Sequence, residues 1–207
     1  MKTIMFVGAL AMTAAQPALA QDWWVNTDPE PEQVSMAHDG FRVEARAMYE
    51  TPTVDRNNTD EFDYKLGDAF AFGGEAGYDV ALGNRFVVGP YGKYEKSTVE
   101  SCADGACARI TDYYEVGGHL GYALGPNGQL YGKVGYGEMG IEVEGTDSFG
   151  TFSESESSGG LAFALGFEFG LGETAYVRLE AAQADVGEIF TFDWKRQTAG
   201  GAIGVRF

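Results

Sequence analysis

Basic residues are scarce in this chain. Lys and Arg number 14 against 31 Asp and Glu, so 207 residues carry a formal charge of −17. That shortage argues against nucleic acid or an anionic membrane surface as a partner, because both are recognised by a basic face, but not against spanning a membrane, since the charges can sit in loops and lumen. Histidine occurs twice, as His38 and His119, and cysteine twice, as Cys102 and Cys107. Two thiolates alone do not make a zinc site, and the chain has no phosphate loop, dinucleotide fingerprint or nucleophile elbow. No metal or cofactor is therefore expected. Long apolar runs are missing too. Only the first 20 residues contain one, and it falls short of the ~20 residues that a spanning helix needs. A chain that crosses a membrane without such a helix must do so as a closed barrel, the other structure that satisfies every backbone group internally.

What is present begins with an export pattern. Lys2 gives a positive start, Ile4 to Ala15 a short apolar run, and Ala18-Leu19-Ala20 a small-residue cleavage site,. Residues 1–20 are read as a signal peptide. Cleavage leaves a mature chain of 187 residues with net charge −18, one domain by length,. Residues 21–39 are polar and are read as an N-terminal periplasmic segment, in which Trp23 and Trp24 suit either a membrane interface or an irregular tail,. Export also favours a disulfide between Cys102 and Cys107 over metal binding, since the destination is oxidising.

The last stretch, WKRQTAGGAIGVRF, sets the pattern for the rest. Phe207, Val205, Ile203, Gly201 and Ala199 share one face, while Arg206, Gly204, Ala202, Gly200, Thr198 and Arg196 share the other,. Seven earlier segments alternate in the same way, starting near Phe41, Phe70, Phe86, Tyr114, Leu130, Leu161 and Val177. Between the eight strands the connections run long, short, long, short, long, short, long. The long polar stretches are 51–68, 97–111 and 145–158, with a shorter loop near 185–192. Short turns fall at Gly83-Asn84, Pro126-Asn127-Gly128 and Gly172-Glu173,. Pro90 suggests a bulge in the third strand. Past Gly137 the apolar phase slips to Met139, Ile141 and Val143, which predicts a bulge or loop extension,.

Two barrels fit this alternation: a soluble one with apolar residues inside, and a membrane one with apolar residues outside. The less apolar face decides between them. It is largely Gly and Ala, unsuited to a water-exposed exterior but suited to a narrow interior. Its charges also balance. Arg42, Arg46, Lys93, Lys133, Arg178, Arg196 and Arg206 share it with Glu44, Glu75, Asp79, Glu95, Glu115, Glu168 and Glu180. Buried charges must be paired, so near-neutrality marks this face as the lumen. The expected pairs are Lys133 with Glu168, and Arg42 or Arg206 with Asp79.

With its signal peptide, eight-strand plan and terminal Phe207, the chain resembles the small outer-membrane β-barrel family of Gram-negative bacteria, of OmpA/OmpX type, including opacity-like and porin-like surface proteins. The resemblance implies an all-β fold, an eight-stranded antiparallel up-and-down transmembrane barrel over residues 40–207 in the bacterial outer membrane. It implies outer-membrane lipid and lipopolysaccharide as surroundings. The barrel-assembly machinery would read the C-terminal strand and Phe207 as an assembly signal. A structural role, or contacts of the surface loops with a host or surface ligand, is the expected function. A narrow porin is the alternative.

A lipid-modifying enzyme of this architecture would need a His–Ser pair on the lipid side. His119 points into the lumen and has no Ser within two positions, so no enzyme is expected. The run from Asp55 to Glu61 begins like a calcium loop. That pattern requires Gly at its sixth place and Glu at its twelfth, where Asp60 and Leu66 stand.

Overall fold

The computed structural model describes residues 38–55, 64–83, 85–103, 105–147, 150–190 and 192–207. The expected signal peptide, most of the expected N-terminal segment and residues 56–61 of the calcium-like run lie outside the described residues.

Ten strands follow in order: β1 Gly40–Asp55, β2 Tyr64–Lys65, β3 Ala69–Leu82, β4 Phe86–Ser97, β5 Glu100–Ala103, β6 Ala106–Ala123, β7 Gly128–Asp147, β8 Gly150–Gly170, β9 Ala175–Ile189 and β10 Phe192–Arg206. Eight of them form an antiparallel ring in the order β1, β3, β4, β6, β7, β8, β9, β10. The ring closes by pairing β10 with β1 from Arg42↔Arg206 to Asp55↔Asp193. Phe207 fastens the seam: its N–H donates to the Phe41 carbonyl at 2.8 Å, and Phe41 donates back to the Phe207 carbonyl at 3.1 Å. Strands β2 and β5 are short additions on β1 and β6.

The outer face is apolar. Leu165 is 70 % exposed, whereas Glu168, on the opposite face of β8, is wholly buried. From Leu161 to Leu171 the outward positions are all large and apolar. Those ten steps cover about 33 Å of strand at ~3.3 Å per residue, or about 25 Å along the axis at a tilt near 40°. That height matches the apolar band of an outer-membrane barrel. Aromatic pairs sit at both margins, with Tyr49–Phe70 and Tyr94–Tyr114 toward the long connections and Phe86–Tyr122 beside a short turn.

Beyond the band the pattern of environments inverts. Val99, Ile110, Met139, Ile141, Val186, Ile189 and Trp194 are buried together inside the wall, while Glu138 and Ser157 face outward. Outside the bilayer the exterior meets water, so an apolar interior becomes favourable again. The apparent slip after Gly137 has this origin. The β7–β8 ladder runs from Gly128↔Phe169 to Asp147↔Gly150 in one register, and Met139 and Ile141 stay on the lumen side. The strand keeps its phase; the surroundings change.

The irregularities fall elsewhere. One extra residue lies in β6 between Ile110 and Tyr113, opposite Gly140. Another is Val186 in β9, where pairing passes from Asp185↔Lys195 to Gly187↔Trp194 and turns Val186 inward. Pro90 makes no bulge. Its pairs with β6 are in register, and the β3 ladder merely lapses between Gly77↔Tyr91 and Val80↔Val88. Two expected loops also contain paired strands: residues 145–147 and 150–158 belong to the β7–β8 ladder, and 97–111 contains the paired strands β5 and β6.

Glycines on the lumen face make room for tyrosines of the neighbouring strand. Tyr131 is paired with Gly166 and Tyr176 with Gly204. A Cβ on Gly166 would stand 2.3 Å from the Tyr131 hydroxyl and 2.6 Å from the Leu179 carbonyl. Neither can yield, because the ring is fixed by a hydrogen bond and the carbonyl by the ladder. Gly166→Ala should therefore cost about 1–3 kcal/mol. It is expected to lower the temperature at which the compact electrophoretic species of unheated samples is lost, while Ala164→Gly leaves no such clash.

Candidate functional site: the lumen charge network

Alternation places Arg42, Glu44 and Arg46 on the inner side of β1, with Glu75 and Asp79 on β3, Lys93 and Glu95 on β4, and Glu115 on β6. Lys133, Glu168, Arg178, Glu180, Arg196 and Arg206 complete the set from β7 to β10, and all fourteen are buried. Two rows of this arrangement would repel if left alone. Glu44 is directly opposite Glu75, and Arg42 is directly opposite Arg206. Like charges in facing positions destabilise a sheet, so each row requires counterions from across the lumen.

The structure supplies them. Asp79 receives Arg42 at 3.1 Å and Arg206 at 2.7 Å. Glu168 binds Arg206 at 3.0 Å and the Arg178 Nε at 2.6 Å. In the middle, Arg178 reaches Glu44 at 2.6 Å, Arg42 reaches Glu75 at 2.7 Å and also pairs with Glu44, and Arg46 binds Glu75 at 3.0 Å and Glu180. Lys133 bridges Glu75 and Glu180, both at 2.7 Å. Toward the long connections, Glu95 holds Arg46 at 3.1 Å and Arg196 at 2.8 Å, and Lys93 meets Glu115 at 3.0 Å.

The partner of Lys133 differs from the sequence expectation. Lys133 is paired with Ala164, and Glu168 faces Gln129, four residues earlier on β7. That is roughly 13 Å of strand, beyond the reach of a lysine. Glu50 is an addition. It continues the inward series of β1 past Met48 and receives Arg196 at 2.7 Å. With it, seven buried cations face eight buried carboxylates among the described residues. The i+2 periodicity of 42, 44, 46, 48 and 50 is the signal that marks it.

Tyrosines form the second layer of the network. Tyr131 donates to Glu180 at 2.9 Å, Tyr176 to Glu44 at 3.2 Å, and Tyr91 and Tyr113 each to Glu115 at 2.5 Å. Their rings also lie beside the cations, with Arg196 4.3 Å from the Tyr113 centroid and Arg178 4.6 Å from that of Tyr131. A guanidinium on an aromatic face inside a low-dielectric wall is a favourable contact. His119 is enclosed in the same interior, its Nδ1 3.5 Å from Asp79 and its ring against Tyr131. The geometry is that of a cross-linked plug, with the apolar cluster stacked above it.

A closed eight-stranded ring with a lipid-height apolar band and a charged interior is a membrane barrel. A family model described as outer membrane protein beta-barrel domain matches residues 6–207. The chain belongs to that family. It is accordingly a protein of the bacterial outer membrane. Solved structures agree on the fold. Ail, the attachment invasion locus protein of Yersinia pestis, crystallised in complex with the heparin analogue sucrose octasulfate, is 18 % identical. That match covers 80 % of this chain and 99 % of Ail, with a TM-score of 0.53. Neisserial surface protein A is 14 % identical, with 81 % and 97 % of the two chains covered and a TM-score of 0.53. No curated protein matches the sequence.

Outside the membrane band, Cys102 and Cys107 are joined as a disulfide across the β5–β6 hairpin. In the next row Arg109 binds Glu142 at 2.9 Å and Glu144 at 3.2 Å. Its hydrogen bond holds the Glu142 carboxyl below the usual carboxylate range.

Removing one cation from the plug leaves buried carboxylates uncompensated. Lys133→Met is expected to destabilise the barrel by about 3–5 kcal/mol, and Glu180→Gln in the same chain to return part of that loss. Urea unfolding in lipid vesicles measures both.

Proposed function

We propose that the barrel is a rigid, sealed support for a surface-interaction element, the sheet formed by the outer parts of β5, β6, β7 and β8. The carrying observation is an unpaired edge. Strand β8 is paired with β7 out to Gly150, whereas its pairing with β9 begins only at Ala162↔Ala184. Among the described residues no strand covers the outer edge of 151–158, and every one of those residues except Ser158 is exposed. Such an edge offers main-chain donors and acceptors to an extended segment of another protein.

Charge indicates the kind of segment. The four-stranded sheet exposes Glu100, Glu144, Glu154 and Glu156, with Arg109 as its cation. Glu154 and Glu156 alternate with serines along the free edge, so a strand with Lys or Arg at alternate positions is complementary. The sulfated ligand in the Ail crystal is an anion, a class this acidic sheet repels. The lumen, filled by ion pairs and closed by an apolar cluster, supports a structural scaffold and not a conduit. On the same reading, lipopolysaccharide and lipid surround the apolar band, and the barrel-assembly machinery engages β10 through its terminal Phe207.

The test uses the mature protein in lipid nanodiscs with two synthetic peptides, one alternating Lys and Thr, the other Glu and Thr. The Lys peptide should bind and slow amide exchange within residues 151–158, and Glu154→Lys with Glu156→Lys should weaken it by about tenfold or more. Equal binding of both peptides, or no added protection at that edge, contradicts the reading.

A further inference from the structure

The hairpin tip carries a second chemistry that the disulfide conceals. Glu100 and Cys102 lie two residues apart on β5 and so point to the same face,. Cys107 stands directly opposite Cys102 on β6. One carboxylate oxygen and the two sulfurs lie within 4.8 Å of one another, and the Glu100 Oε1 is 3.6 Å from the Cys102 Sγ. Glu100 and Cys102 are exposed and Cys107 is half-buried, so solutes reach the group from outside. The nearby cation, Arg109, is occupied by Glu142 and Glu144.

We infer that reduction of Cys102–Cys107 by a low-molecular-weight thiol converts this hairpin tip into a binding site for zinc or a similar thiophilic divalent ion. The site would be held by the two cysteine thiolates and the Glu100 carboxylate. The exchange is balanced. An external thiolate attacks one cysteine sulfur and displaces the other as a thiolate, breaking the protein S–S bond and forming a mixed disulfide. A second external thiol then attacks the mixed disulfide, leaves as the small-molecule disulfide, and frees the second cysteine. Two electrons and two protons enter the pair, and the arriving metal displaces the two thiol protons.

Geometry favours the set over a bare thiol pair. Two thiolates on one zinc ion at about 2.3 Å stand roughly 3.8 Å apart. Side-chain rotation reaches that separation from a cross-strand pair whose Cα atoms are 4.0 Å apart. The β5–β6 ladder, continued by β6 on β7, keeps the backbone in place after the S–S bond is cut. Glu100 supplies the third ligand, and water completes a tetrahedral set. In the oxidised protein the same residues form a covalent staple and bind no metal.

The probe is Co2+ added to the mature protein in nanodiscs, oxidised or reduced with a dithiol that is then removed without air. Reduced protein should show thiolate-to-cobalt charge-transfer absorption at one ion per chain, abolished by added Zn2+, and oxidised protein none. Cys107→Ser should remove the absorption. Glu100→Gln should lower the affinity roughly tenfold or more, at least what loss of an outer-shell partner costs a metal site. The heat-dependent electrophoretic shift verifies that each variant retains its barrel. Absence of the bands in reduced protein, or unchanged affinity in Glu100→Gln, overturns the assignment.

Discussion

Closure of β10 onto β1 is the constraint on which everything else rests. Inside a bilayer no water is available for a free strand edge, and each unsatisfied main-chain group costs several kcal/mol. The pairing from Arg42↔Arg206 to Asp55↔Asp193 removes the last edge of the ring. Once the ring is closed at eight strands, its interior is narrow enough to be filled by side chains. The inward positions must then hold groups that satisfy one another.

The chain meets that requirement with charge and not with apolar packing. Glu44, Glu75 and Glu180 each contact two or more cations, and Arg42, Arg46 and Arg178 each contact several carboxylates. A network of this kind has little slack, because loss of one member strands several others. Tyrosines wedged over glycines add contacts between neighbouring strands. Beyond the band the solution changes to an apolar cluster around Met139, Val186 and Trp194, because there the outer face is wet. One wall thus runs through two solvents. It is inverted in the first and ordinary in the second, without a break in the β7–β8 ladder.

This division explains what was legible in the sequence. Period-two alternation identifies the strands, and the Gly/Ala character of the charged face identifies the lumen. Both are properties of single strands. The partners of Lys133 depend on how strands are staggered, which alternation within one strand does not encode; hence Glu168 was expected where Glu75 and Glu180 stand. The inward Met139 and Ile141 resembled a slipped phase because apolar residues were read as lipid-facing throughout. Glu50 escapes the sequence reading because a polar residue beside the polar stretch 51–68 looks like the start of a loop, although the ladder continues through Pro52 to Asp55. The paired segments within 97–111 and 145–158 look like loops in the sequence because polar strands that stand in water lack an apolar face to announce them.

The central claim is that the lumen is sealed by its own side chains. The most direct measurement is single-channel conductance of the refolded barrel, residues 21–207, in a planar bilayer, with insertion verified by the heat-dependent electrophoretic shift. A sealed lumen predicts silence across the voltage range that inserted barrels tolerate. Steady ohmic conductance that changes when Glu75 or Lys133 is neutralised would mean that the charge network lines a pore, and would contradict the account.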